Sequence, residues 1–317
     1  MSNQATAVIV LDSVSAAGKR LTTFQLRYWR PIHSELMTHR VFSRNAGSSR
    51  ARPSKAIIEQ VRDNPWGPIH WGANQPGMQA HQELAGLDLY DAKNVWGSAA
   101  REAAACAETM VKIGAHKQIV NRLLEPFTYI DVLVTATDYA NWFMLRDHAD
   151  AQPEIRELAQ LMKAQYDASV PDLICDGQWH LPYITPDDWD EATRYCQAGR
   201  ITRDMPSYAE KLDILRKISV ARCARVSYKA FDGTVAPIEK DLALFEQLLV
   251  SQPLHASPAE HQATPDVSLG MRIRPGSATF DNPFGDEELV WKMPYLHGNF
   301  TGWKQYRKML PNEFLAG

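Results

Sequence analysis

The sequence predicts an α+β fold, with a mixed or antiparallel sheet flanked by helices. Two short apolar, β-branched runs sit close together near the N-terminus, several later stretches repeat apolar residues at helical spacing, and no internal repeat or low-complexity tract intervenes. Ala7 to Leu11 reads as a buried strand, Asp12 to Lys19 as a turn, and Thr22 to Trp29 as a second strand that Pro31 ends. His33 to Val41 suits a helix with Leu36 and Met37 inward and His39 and Arg40 near its C-terminal end. Ser43 to Ser49 follows as a loop whose backbone N–H groups are free for anions. Residues 63 to 82, rich in Pro, Gly, Asn and Trp, form an ordered loop near a site. Ala92 to Ile113 reads as a core helix facing inward with Val95, Ala99, Ala103, Cys106 and Met110, terminated by Gly114. Leu123 to Leu145 continues as helix, interrupted near Pro126, and Glu154 to Tyr166 is amphipathic behind Pro153. Tyr208 to Ser219 and Glu239 to Val250 are also helical, while 176 to 186 and 281 to 294 are irregular.

A chain of 317 residues, 45% hydrophobic and 22% charged, has the composition of a soluble globular protein. Its net charge of -3 makes a general nucleic-acid binder unlikely, since such surfaces carry excess Lys and Arg. Cys106, Cys175, Cys196 and Cys223 form no Cys-x-x-Cys pair, so neither a metal site nor a disulfide framework is expected. No signal peptide or bilayer-spanning stretch is legible, and a cytoplasmic protein with no membrane partner is the expectation.

Chemistry concentrates between Thr38 and Arg50, where one histidine, three arginines and three serines fall within thirteen residues. Arginines flanked by hydroxyls and a glycine suit a phosphate. His39, Arg40, Ser43, Asn45, Ser48 and Arg50 match the signature of the flavin-dependent thymidylate synthases, with Thr38 at the place of its first arginine. Asn121 to Pro126 resembles the family's Ala-Arg-x-x-Leu-Pro stretch. Asn141 to Arg146, followed by Ala151 to Arg156, is similar to its Asn-x-x-x-x-Arg and Ala-Gln-Trp-Glu-Ile-Arg blocks. Two further blocks, the strand-like Ala224 to Tyr228 and His255 to His261, stand ahead of the signature in the family and behind it here, so the order reads as a circular permutation. The blocks 20–52, 116–156 and 219–262 would then lie in a single domain spanning 1–317, with insertions at 53–94 and 157–218 and an extension at 263–317.

The resemblance implies transfer of a one-carbon unit to C5 of a pyrimidine deoxynucleotide monophosphate, dUMP to dTMP. FAD is the implied cofactor, methylenetetrahydrofolate and NADPH the co-substrates, and a homo-oligomer, a tetramer in the family, the assembly. Arg146 would be catalytic, stabilising the ionised pyrimidine with a permanent charge and a planar fork of donors. Glu35, Ser48, Ser49, Arg50 and Arg122 would join it in holding the nucleotide. Thr38, His39, Arg40, Asn45, Asn141, Ser227 and His261 would line the flavin, His261 on the folate side. No cysteine follows a proline, as the nucleophile of the folate-only enzymes does, which argues against thiolate catalysis.

Structural alternatives stand beside these roles: Arg146 pairing with Asp147, an i,i+3 pair of Arg122 with Glu125, Asn141 as a helix-face residue, Ser227 as a strand hydroxyl and His261 as a surface histidine. Thr38, Ala46, Ala51, Thr135 and Thr137 depart from the family pattern. These departures leave room for 5-hydroxymethylation of dUMP or dCMP by the same chemistry, and for a non-catalytic nucleotide- or nucleic-acid-binding protein.

Overall fold

The computed structural model describes residues 4–198, 204–228, 236–251, 254–311 and 313. Its centre is a five-stranded sheet of β1 (Thr6–Ser15), β2 (Arg20–Trp29), β3 (Ser43–Ala46), β4 (Tyr129–Ala136) and β5 (Asp172–Ile174), ordered β3-β4-β2-β1-β5. Neighbours are antiparallel except β1 and β5, so the sheet is mixed, as the sequence predicts. The described helices are α1 (His33–Leu36), α2 (Ser54–Asp63), α3 (Gly86–Lys112), α4 (Lys117–Val120), α5 (Ala140–Arg146), α6 (Pro153–Ala168), α7 (Pro186–Ala198), α8 (Tyr208–Tyr228) and α9 (Ile238–Leu249). Two small antiparallel pairs follow, β6 (Ala263–Pro265) with β9 (Trp303–Gln305) and β7 (Ser268–Ile273) with β8 (Glu287–Trp291).

Helices cover both faces of the sheet. On one, Phe24, Leu26 and Tyr28 of β2 and Ile130, Val132 and Val134 of β4 bury against Trp142 of α5 and Ile155, Leu158 and Met162 of α6. On the other, Leu133 meets Cys223 and Val226 of α8. Because both faces of β4 are buried, its sequence shows no alternation, and the helix expected from Leu123 to Leu145 is instead a 3-10 segment (Asn121–Phe127), this strand and α5.

Several other expectations are corrected. β1 runs through Asp12 to Ser15, leaving a turn only at Ala16 to Lys19, because the Asp12 carboxylate accepts bonds from Arg20, Thr22 and Ser169 at 2.6–2.9 Å. The helix from His33 is a single turn, with Leu36 buried but Met37 exposed. Ser43 to Ala46 is an edge strand on β4, and the next two N–H groups donate to the carbonyls of Asp131 and Ser227, so this backbone is not free for anions. In α3 the buried stripe is Ala100, Ala104 and Ala107, whose small side chains let α2 approach closely; Val95 and Cys106 face outward. Ala224 to Tyr228 is the end of α8, not a strand, and 281 to 294 contains β8.

Candidate active site

α1 is short, and its end is fixed from the sheet. Arg44 on β3 donates to the carbonyls of Met37 at 2.9 Å and His39 at 3.3 Å, compensating the carbonyls that one turn leaves open. His39 is thereby held inward, with its ring against Phe42 and Trp142. Burial, then the charges of Arg146 and Arg44, lowers its pKa below the usual imidazole range. A neutral ring presents a lone pair at Nε2, and Arg146 Nε donates to it at 3.1 Å.

Arg146 ends α5 and spreads its three nitrogens over three partners. Besides His39, Nη1 donates to Glu35 Oε2 at 2.9 Å and Nη2 to Thr38 Oγ1 at 3.3 Å. It does not take Asp147, whose carboxylate accepts from Gln160. Glu35, Thr38 and His39 thus meet at the guanidinium of Arg146, more than a hundred residues away in sequence.

A cavity of about 680 Å³ opens beside this group, lined among others by Trp29, Glu35, His70, His81, Arg146 and Glu154. Part of its wall, between Pro68 and His81, comes from the ordered loop expected near a site at 63–82. Buried Glu154 accepts from Ile69 N at 3.0 Å, and Glu83 accepts from Trp71 N at 3.0 Å, anchoring this wall to α6 and to itself.

The phosphate candidates form a second corner. Ser49 Oγ donates to Glu125 at 2.6 Å, and Arg122 reaches the same carboxylate at 2.9 Å, so the i,i+3 pair is realised. Asn121 donates to the carbonyls of Ser49 and Arg52 at 2.7 and 3.1 Å, fixing the backbone there. Arg30, Arg52, Ser48 and Ser227 line a narrow cleft beside it, while Arg50 is exposed. Glu125, Arg30, Arg52 and Arg44 escaped the sequence reading; the i,i+3 spacing of Arg122 and Glu125 was the available signal for the first.

The residues expected around FAD do not converge. Thr38, Arg40 and Asn141 are exposed, whereas His39, Asn45 and His261 are buried. Asn45 Nδ2 donates to Cys223 O at 3.4 Å, and Ser227 O accepts from Ser48 N. His261 is fully buried, correcting both the surface reading and a place open to folate. Its Nδ1 lies 2.8 Å from Thr135 Oγ1, which bonds Thr23, which bonds His180, which bonds Ser13, a continuous buried chain. Thr137 is occupied as well, its hydroxyl accepting from Thr301 N at 3.0 Å. No flavin cradle is assembled by these residues within one chain. Cys223 is buried, which raises its thiol pKa and suits no nucleophile. Among the described residues no group of His, Cys, Asp or Glu could hold a metal, and no helix is long and apolar enough to cross a membrane.

Residues 20–172 match the family model described as Thy1, thymidylate synthase complementing protein. Over that span the chain is similar to this family, which bears out the resemblance read between Thr38 and Arg156. The blocks at 224–228 and 255–261 lie outside the match. No curated protein matches the chain. Two solved structures of the UMP/dUMP methylase PolB from Streptomyces cacaoi are similar. The complex with 5-Br UMP is 18% identical, covering 51% of this chain and 88% of that one at a TM-score of 0.42. The complex with 5-Br dUMP is 19% identical, covering 51% and 90% at the same TM-score.

Proposed function

We propose that this protein transfers a one-carbon unit to C5 of a pyrimidine deoxynucleotide monophosphate, with dUMP to dTMP as the reaction. The observation that carries this reading is the convergence of Arg146, Glu35, Thr38 and His39 at the mouth of a cavity large enough for a nucleotide. Arg146 stays charged at any working pH and lines the cavity, where a fixed guanidinium suits negative charge on a pyrimidine ring. The imidazole of His39 and the side chain of Glu35 orient its guanidinium. The Thy1 match supports the reaction class.

FAD, methylenetetrahydrofolate and NADPH are the cofactor and co-substrates that this chemistry calls for. The flavin supplies electrons when bound. Since the expected flavin residues do not assemble within one chain, no step is assigned to them; a homo-oligomer could bring residues from different copies together. The family blocks lie in permuted order within a single domain, a reading supported by the bond from Ser48 N to the Ser227 carbonyl.

Absorption spectroscopy of the purified protein with FAD, followed by titration with dUMP, tests the reading. The expected result is a bound-flavin spectrum that shifts with nucleotide, and product mass then separates methyl from hydroxymethyl transfer. A protein that takes up neither FAD nor dUMP would overturn it. A protein that binds nucleotide but no flavin would support the second reading, a non-catalytic nucleotide-binding protein, which the burial of His261 and Asn45 favours.

A further inference from the structure

The corner where phosphate donors gather already holds an anion. Glu125 lies in the 3-10 segment beside Arg122, and its Oε1 accepts from Ser49 Oγ at 2.6 Å and Arg122 Nη1 at 2.9 Å, with Oε2 at 3.2 Å from the same nitrogen. Arg30 Nη1 stands 3.8 Å away. Its Nε is buried with no hydrogen-bond partner among the described residues. Arg52, near enough with Arg122 to disfavour the charge on Arg30, adds a third guanidinium. Arg27 is the exception in this region, being paired with Asp131 at 2.7 Å. Arg122 and Arg30 therefore face one carboxylate, with Arg52 beside them against Tyr129, and positive charge remains in excess.

A carboxylate and a phosphate accept from the same donors in similar geometry. They cannot share Ser49 Oγ and Arg122 without strong repulsion. The geometry points to Glu125 as a specificity-determining residue: an internal anion that occupies the phosphate position and that the dianionic phosphate monoester of a substrate must displace. The inference rests on the nucleotide reading above. The Glu125 side chain is 23% exposed and so has a path toward solvent.

The test is calorimetric titration of the full chain and of Glu125→Gln with dUMP, with deoxyuridine and with inorganic phosphate. The uncharged amide keeps an acceptor for Ser49 and removes the repulsion. Glu125→Gln should bind dUMP and inorganic phosphate about tenfold more tightly, the effect of one relieved interaction of about 1.4 kcal/mol, with deoxyuridine affinity unchanged. Equal or weaker dUMP binding in the variant, with the wild-type chain binding normally, overturns the inference and leaves the nucleotide reading standing. No dUMP binding by either protein overturns both. Should Glu125→Gln fail to fold, Glu125→Asp, whose shorter carboxylate withdraws from Ser49, carries the comparison. It should bind inorganic phosphate more tightly than wild type, and equal or weaker binding overturns the inference.

Discussion

Arg146 is the residue on which the most separate observations meet. Its three nitrogens serve three acceptors, so Arg146→Lys keeps the charge yet cannot reproduce the fork. If Arg146 stabilises charge on the base, this variant should lower kcat by roughly 10²-fold or more, the scale of losing one preorganised donor, while the fold survives. Steady-state kinetics alongside thermal unfolding checks this; full activity in the lysine variant would remove Arg146 from the chemistry. The grouping was legible because Thr38, His39 and Arg146 are polar residues in fixed spacings that a core does not need. Glu125 was not, since an acid three residues after an arginine is the commonest pair on any helical surface. Only the approach of Ser49 and Arg30 from elsewhere in the chain gives it meaning.

At the scale of elements, the two N-terminal strands and α6 could be read because their patterns are local. β4 could not, because a strand buried on both faces has the same apolar run as a buried helix. Its β-branched Ile130, Val132, Val134 and Thr135 were the remaining signal. Similarly, Ala224 to Tyr228 has strand-like residues but belongs to α8, where Arg222 and Arg225 reach Asp241 and make the helix's buried side chemically specific. The polar ladder across the sheet gives a test at this scale. Burial lowers the pKa values of His180 and His261 to about 3, with the charge of His180 contributing at His261. Both are neutral when folded. The unfolded chain takes up their protons below about pH 6.5, so stability should fall as pH drops from there toward 3, by up to roughly 1.4 kcal/mol per pH unit for each histidine. Denaturant titrations between pH 7 and 4 should show this slope, and His180→Gln should make it shallower. An unaltered slope in that variant would contradict the assignment.

For the whole molecule, the stripe expected on α3 is right for Ala103 and Met110, which pack on the core, and wrong for Val95, Ala99 and Cys106, which face outward. Ala100, Ala104 and Ala107 pack, and Leu87, Tyr90 and Val95 are exposed along the helix. Periodicity marks a stripe without saying whether its partner is the same chain or another copy. A second copy is the occupant that the proposed homo-oligomer supplies. Light scattering should therefore give a mass above that of one 35.7 kDa chain, and Leu87→Glu together with Val95→Glu should reduce it. A monomeric wild-type protein would refute this use of the helix.

The ladder from Ser13 to His261 also bears on how the chain is made. Ser13 and His180 are 167 positions apart, Thr135 and His261 are 126 apart, and Trp303 bonds the carbonyl of Lys19 across 284 positions. The hydroxyls of Ser13 and Thr23 in the β1–β2 hairpin thus find His180 across 167 and 157 positions, and only the Lys19 carbonyl waits for Trp303. Until those partners arrive the hairpin's polar groups stay wet, and such distant closures slow folding.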